Sequence, residues 1–147
     1  MKKRIMIVGP TQSGKSTLAN FLNDTDRPLK KTQDVIYGKY TIDTPGSYIE
    51  TPYMYRYLIA TAQGASCILL LVDQTKPFAA YPPAFAKTFT CPVIGVVTRV
   101  DLAGQNARLC MQQLQRIGVK EPFFRVSVKD AASLRALKEY LLGKYES

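Results

Sequence analysis

Residues 5–17, IMIVGPTQSGKST, decide how the rest of the chain is read. Four apolar residues, Ile5 to Val8, run straight into Gly9-Pro10-Thr11-Gln12-Ser13-Gly14-Lys15-Ser16, and Thr17 follows. The octet fits G-x-x-x-x-G-K-[ST], the phosphate-binding P-loop. A glycine-rich turn between a strand and a helix aims several backbone N–H groups at one place, where they hold phosphate oxygens. The positive end of the following helix adds to that field. Lys15 is expected to reach the β- and γ-phosphates, and the Ser16 hydroxyl to ligate Mg²⁺. So short a pattern also arises by chance, and its context decides. Here an apolar strand-like run precedes it, and KSTLANFLN after it carries Leu18, Phe21 and Leu22 at helical spacing.

The length of 147 residues fits one compact domain with a sizeable core, and 46% apolar residues describe a globular chain. The strongest apolar run, ILLLV at 68–72, falls far short of the ~20 residues of a membrane span. MKKR at the start is followed by only four apolar residues before the glycine loop, so no secretory h-region is read there. Cys67, Cys91 and Cys110 are widely spaced, and histidine is absent. That pattern argues against a disulfide framework or a Cys/His zinc site and fits a reducing cytoplasm, with the cysteines as small core residues. The net charge of +9 is scattered, apart from KKR at the start and Arg27, Lys30 and Lys31 in one loop. No basic stripe interleaves with aromatics, so the charge is read as solubility and steering of a nucleotide rather than nucleic-acid binding.

Strand-like and helix-like stretches alternate, which predicts an α/β fold: a doubly wound, mostly parallel sheet of about six strands covered on both faces. Strands are expected near residues 3–8, in a hairpin turning at Gly38 and ending at Asp43, and in CILLLVD, PVIGVVTRVD and FFRVSV. Helices are expected from the P-loop to about Asn23, over about 51–63, around Pro83–Thr88, over 105–117 and in AASLRALKEYLLGKY. In the 105–117 helix, Leu109, Leu114 and Ile117 are read as the apolar side; in the last helix, Leu134, Leu137 and Leu141.

Four further motifs fall just past strand ends, where such a sheet puts its ligands. Asp43-Thr44-Pro45-Gly46 offers an aspartate to hold Mg²⁺ through water and a glycine N–H for the γ-phosphate. Thr32, in the preceding polar loop, can add a hydroxyl to Mg²⁺ when a γ-phosphate is present, the contact by which a switch loop senses a triphosphate. In Thr98-Arg99-Val100-Asp101 the carboxylate can accept N1–H and N2–H₂ of guanine, a donor pair adenine lacks. The backbone of Ser127-Val128-Lys129 can meet the base's O6. Lys15, Thr32 and Gly46 are thus the groups expected at the γ-phosphate, and Ser16, Thr32 and Asp43 at the metal.

This constellation resembles the small GTPase-like G domains over nearly the whole chain. RIMIVGPTQSGKSTL, KKTQDVIYGKYTIDTPGSYIE and PVIGVVTRVDLA together resemble the ethanolamine-utilisation protein P / propanediol-utilisation protein V family. The resemblance implies a P-loop, Mg²⁺-dependent GTP/GDP-binding protein that is cytosolic or associated with a bacterial microcompartment. Candidate partners are a microcompartment shell or cargo protein and a second copy of the chain. For ethanolamine-side relatives it also implies ATP-dependent acetate kinase activity, which stands as the alternative, beside a non-catalytic adaptor stabilised by its nucleotide.

The departures from that pattern bear on activity. Ras-like proteins place a water-orienting glutamine directly after the switch glycine; here the residue is Ser47, too short for that work. Tyr48 and Glu50 lie near enough to substitute, although Glu50 also suits a first helical turn. Arg99 stands where a lysine is usual and can stack its planar guanidinium on a purine, leaving selectivity chiefly to Asp101. Arg27, Lys30 or Lys31 can serve as a finger in cis on the γ-phosphoryl, or simply solvate a loop. Tyr48, Tyr53, Tyr55 and Tyr57 are divided between packing on the sheet and a partner surface. The last helix is expected to close the domain, with docking to a shell protein as its other use.

Overall fold

In a computed structural model, which describes residues 3–10, 12–26, 34–77 and 81–145, six strands form one sheet in the order β2-β3-β1-β4-β5-β6. The strands are β1 (Arg4–Val8), β2 (Ile36–Tyr37), β3 (Thr41–Asp43), β4 (Ala65–Asp73), β5 (Val93–Thr98) and β6 (Phe123–Arg125). Among these strands the β2–β3 hairpin is antiparallel, and every other neighbouring pair is parallel. The helices are α1 (Lys15–Asn23), α2 (Ser47–Glu50), α3 (Tyr55–Ala62), α4 (Ala107–Ile117) and α5 (Ala131–Tyr145).

Central strands buried on both faces need apolar residues without interruption, and β1 and β4 supply them. Alternation then divides each strand between two cores. Ile5, Ile7, Cys67, Leu69 and Leu71 pack with Leu18 and Leu22 of α1 and with Leu134, Leu137 and Leu141 of α5. Met6, Val8, Ile68, Leu70 and Val72 pack on the other face with Leu58 of α3 and Leu114 and Ile117 of α4. The sheet is therefore doubly wound, and α5 spends its apolar face closing it. No described helix is long and apolar enough to cross a membrane. Cys67 and Cys110 are buried and Cys91 half-buried, all three as free thiols. Burial pushes the Cys67 thiol up to about 12, so it packs as an unionised core group.

Several boundaries differ from the sequence reading. The helix expected over 51–63 opens as a single 3₁₀ turn, Pro52–Met54, that runs into α3 at Tyr55, and it is separated at Thr51 from a short α2 that ends at Glu50. Pro52 is the cause, because the residue before a proline is driven to extended backbone, and Thr51 has φ −123° and ψ 110°. The stretch around Pro83–Thr88 forms only a 3₁₀ turn, Phe85–Thr88. β5 stops at Thr98, since Arg99 has φ +57°, and β6 stops at Arg125. In α4 the buried residues are Cys110, Leu114 and Ile117, while Leu109 is 43% exposed. Spacings of four and three from Cys110 follow the helical repeat better than the five from Leu109 to Leu114.

That correction is testable. Leu114→Ala, emptying a fully buried site, is expected to lower unfolding free energy by about 2–5 kcal/mol. Leu109→Ala is expected to change it by less than about 0.5 kcal/mol. Chemical denaturation of both variants checks the assignment; equal losses would restore the sequence-based face.

Candidate functional site

All parallel strands end on one edge of the sheet, and the loops that leave them form the site. From β1 the chain enters the P-loop. The Ser13 N–H donates to Pro10 O at 3.2 Å, and Gln12 (φ +64°) before it and Gly14 (φ +99°) after it are left-handed. Gly14 caps α1 and tolerates that conformation because it has no Cβ. At Gly9 the constraint is space: a Cβ there would lie 2.6 Å from Ser13 Oγ and 3.1 Å from Leu71 Cβ. The first turn of α1, where Thr17 sits half-buried, has no side-chain cap and no acidic residue. Its positive end and its first N–H groups are open to an anion. Ser13 Oγ is buried with no partner among the described residues.

Lys15 is buried, and its Nζ donates to Pro10 O at 2.9 Å, which lays the side chain back across the loop. Burial lowers its pKa, opposed by the negative charges of Asp43 and Glu50. Ser16 Oγ donates to Asp43 Oδ2 at 3.3 Å, so the two predicted metal ligands are neighbours. A hydroxyl and one buried carboxylate are hard oxygen donors of the kind Mg²⁺ takes, with its remaining oxygens coming from waters and phosphates. No group of three or more His, Cys, Asp or Glu gathers among the described residues, so a cage built wholly of protein ligands is not found there. Thr44, fully buried, donates to Ile7 O at 2.7 Å and moors the Asp43–Gly46 segment to β1. Gly46 begins α2, with its carbonyl accepting from the Ile49 and Glu50 N–H groups. Thr11 and Thr32, and the candidate fingers Arg27, Lys30 and Lys31, lie outside the described residues.

At the other end of the site, Asp101 is exposed, and its Oδ1 accepts from Ser127 Oγ at 2.6 Å. That hydrogen bond is the main reason its carboxyl sits below the ordinary aspartate range. Of the three backbone N–H groups expected at a base's O6, two are used inside the loop. Ser127 N donates to Ser133 Oγ at 3.2 Å, and Lys129 N to Ser127 Oγ at 3.1 Å. The Val128 N–H remains, on an exposed residue. Thr98 Oγ1 donates to Ser13 O at 2.9 Å, tying the end of β5 to the P-loop. Arg99, with its side chain 40% exposed, pairs through Nη1 with Asp73 Oδ2 at 2.5 Å, so its guanidinium is held at the end of β4.

Sequence reasoning missed the supports behind these groups. The buried Tyr81 hydroxyl donates to Leu71 O at 2.8 Å, with Val8 O 3.2 Å away, directly before Gly9. Asp73 and Gln74, at the end of β4, hold the loop that carries Asp101. No short motif marks either, because the partners that tie them to this loop are distant in sequence: Asp73 reaches Arg99, and Gln74 reaches Val100. A polar pair ending an unbroken apolar strand was the available signal. Tyr53 and Tyr57 are exposed, while Tyr48 and Tyr55 pack against the core.

Comparison with known proteins supplies the lineage. The profile described as "Ethanolamine utilisation - propanediol utilisation" (PduV-EutP) matches residues 2–143. The chain belongs to this PduV-EutP family. It is 36% identical over 129 residues to the propanediol utilization protein PduV of Citrobacter freundii, covering 87% of this chain and 86% of that one. It is 32% identical over 146 residues to the probable acetate kinase EutP of Salmonella typhimurium, covering 98% and 92%. Among solved structures, elongation factor SelB of Methanococcus maripaludis with the GTP analogue GppNHp superposes with TM-score 0.66 at 19% identity. That match takes in 99% of this chain and 35% of SelB. A single-residue variant of Era from Aquifex aeolicus, bound to GDP·AlF₄⁻, gives 0.60 at 23% identity, over 100% of this chain and 58% of Era. Those likenesses establish the fold, that of the P-loop GTPase G domains.

The Asp101–Ser127 contact yields a pH prediction. A carboxyl whose pKa is depressed by folding adds stability above its unfolded pKa and loses it as pH falls through the folded one. Ser127→Ala removes the largest cause, so the Asp101 titration midpoint should move upward toward the ordinary aspartate value. Carbon-13 NMR of the Asp101 carboxyl in both proteins measures it; coincident midpoints would contradict the assigned cause.

Proposed function

We infer that this PduV-EutP family member is a Mg²⁺-dependent guanine-nucleotide-binding protein that hydrolyses GTP slowly. The observation that carries the reading is Asp101, an ionised acceptor oriented by Ser127 on the same edge of the sheet as an intact P-loop. In this reading Gly9, Pro10, Thr11, Gln12, Ser13 and Gly14 surround the phosphates, Lys15 neutralises the β- and γ-oxygens, and α1 adds its positive end. Ser16 and Asp43 hold Mg²⁺, with Thr32 joining when a triphosphate is bound and Gly46 donating to the γ-phosphate. The metal's part is to neutralise charge on the β- and γ-oxygens. At the base, Asp101 accepts from N1–H and N2–H₂, and the Val128 N–H meets O6. Slow turnover follows from Ser47, exposed and too short to orient attacking water.

The family description and the relatives' names support a place in propanediol or ethanolamine utilisation, and with it association with a bacterial microcompartment. The exposed Tyr53 and Tyr57, beside the Asp43–Gly46 segment, supply a surface from which a shell or cargo protein would read the bound nucleotide. A second reading, ATP-dependent phosphotransfer to acetate, rests on relatives named probable acetate kinase at 30–32% identity. It requires loose base selectivity, which separates the two.

Asp101→Asn exchanges an acceptor for a group that also donates, matching the O2 carbonyl of xanthine and losing the N2–H₂ bond of guanine. We expect GDP affinity to fall, and xanthosine diphosphate affinity to rise, by at least about tenfold each, about 1.4 kcal/mol. Titration calorimetry with Mg²⁺ checks both. Affinities for both nucleotides that ignore the substitution would reject base reading by Asp101 and favour the acetate kinase reading.

A further inference from the structure

Gln74 is a fully buried polar residue at the first position after β4, and each of its hydrogen-bonding groups is engaged. Its side-chain Nε2 donates to Val100 O at 3.1 Å and to Leu102 O at 2.8 Å, the two carbonyls that flank Asp101. Its Oε1 accepts from Arg125 Nη2 at 3.3 Å. Its own backbone is tied to the same region: N donates to Thr98 O at 3.0 Å, and O accepts from Asn106 Nδ2 at 3.0 Å.

The segment thus gripped lies past the end of the ladder and keeps one backbone tie to its neighbour, Val100 N donating to Val126 O at 3.3 Å. β5 has ended at Thr98, and the loop carries left-handed residues at Arg99 (φ +57°) and Ala103 (φ +51°). Two side-chain holds act on Asp101 at different levels. Ser127 turns the carboxylate; Gln74 fixes the backbone from which that carboxylate extends. A carboxylate meets two base donors at once only within narrow tolerances, of order 0.5 Å and 10–20°. A single amide spanning both flanking carbonyls supplies that restraint, since one plane sets the height and the tilt of the peptide units around Asp101.

We propose that Gln74 is a specificity-determining positioning residue, its amide setting where Asp101 stands against the base. The inference rests on the guanine-nucleotide reading above. Its consequence is selective: loss of the amide weakens contact with the 2-amino group of guanine more than contact with groups that guanine shares with hypoxanthine. Gln74→Met keeps the length and removes both donors.

The experiment compares GDP with inosine diphosphate, which lacks only the 2-amino group, by titration calorimetry with Mg²⁺. A hydrogen bond to a charged carboxylate makes the wild-type preference for GDP about tenfold to a hundredfold. In Gln74→Met we expect that ratio to collapse toward one, with inosine diphosphate affinity reduced far less than GDP affinity. A merely structural role would lower both affinities in proportion and leave the ratio alone, and that outcome overturns the proposal. Arg125→Met, which strips the Oε1 partner from an exposed site, gives a milder disturbance should Gln74→Met fail to fold; it should lower the same ratio in part, and an unchanged ratio there counts against us equally. A wild type that binds GDP, inosine diphosphate and ADP alike would instead overturn the guanine reading itself, and this inference with it.

Discussion

Parallel pairing of β1 with both β3 and β4 is the constraint on which the rest of the molecule depends. Ile7 lies opposite Asp43 on one side and Leu69 on the other, and Asp73 lies opposite Thr98 one strand further out. Because these strands run the same way, the P-loop, the Asp43–Gly46 segment, Asp73-Gln74 and the Asp101 loop all emerge on one edge. The chain leaves β1 toward β3 and leaves β4 toward β5, so the connections diverge there and open the crevice in which such sheets bind ligands. The cost of this arrangement is that its middle strands have no solvent face. That is why Ile5–Val8 and Ile68–Val72 are apolar without a break.

From that edge the site is assembled by short polar ties rather than by large contacts. Thr44 on Ile7 O, Thr98 on Ser13 O and Tyr81 on Leu71 O each satisfy a carbonyl of the central strands or the P-loop and moor a neighbouring segment to it. Each such group is buried, so losing one leaves its partner unsatisfied, at about 1–3 kcal/mol. The pair Arg99–Asp73 follows the same logic with charge: Asp73 is buried, and its other oxygen accepts from Thr75 N at 2.9 Å and Thr75 Oγ1 at 2.7 Å. Removing Arg99 would strand a buried carboxylate. The arginine that replaces the usual lysine thereby gains a neighbour on β4.

What could be read from the sequence was whatever had a short period or a local pattern. The strands, the glycine turn and the helix after it announce themselves within a dozen residues. Asp101 and Ser127 were legible as separate motifs, although their 2.6 Å contact was not. Illegible were events that depend on long-range neighbours. Gln74 carries no motif, Cys110 displaced Leu109 from the core by one position, and the extended Thr51 before Pro52 cuts a short α2 off from the helix expected over 51–63. The backbone N–H left at Val128 emerges only once Ser127 and Lys129 are seen to satisfy themselves.

The account stands on a base-selective nucleotide site rather than a general phosphate site. Competition of GDP and ADP for the wild-type chain, in Mg²⁺ and against a fluorescent GDP, measures that most directly. We predict that GDP competes at least about tenfold more strongly, a difference of about 1.4 kcal/mol or more. Equal competition by ADP would contradict the account.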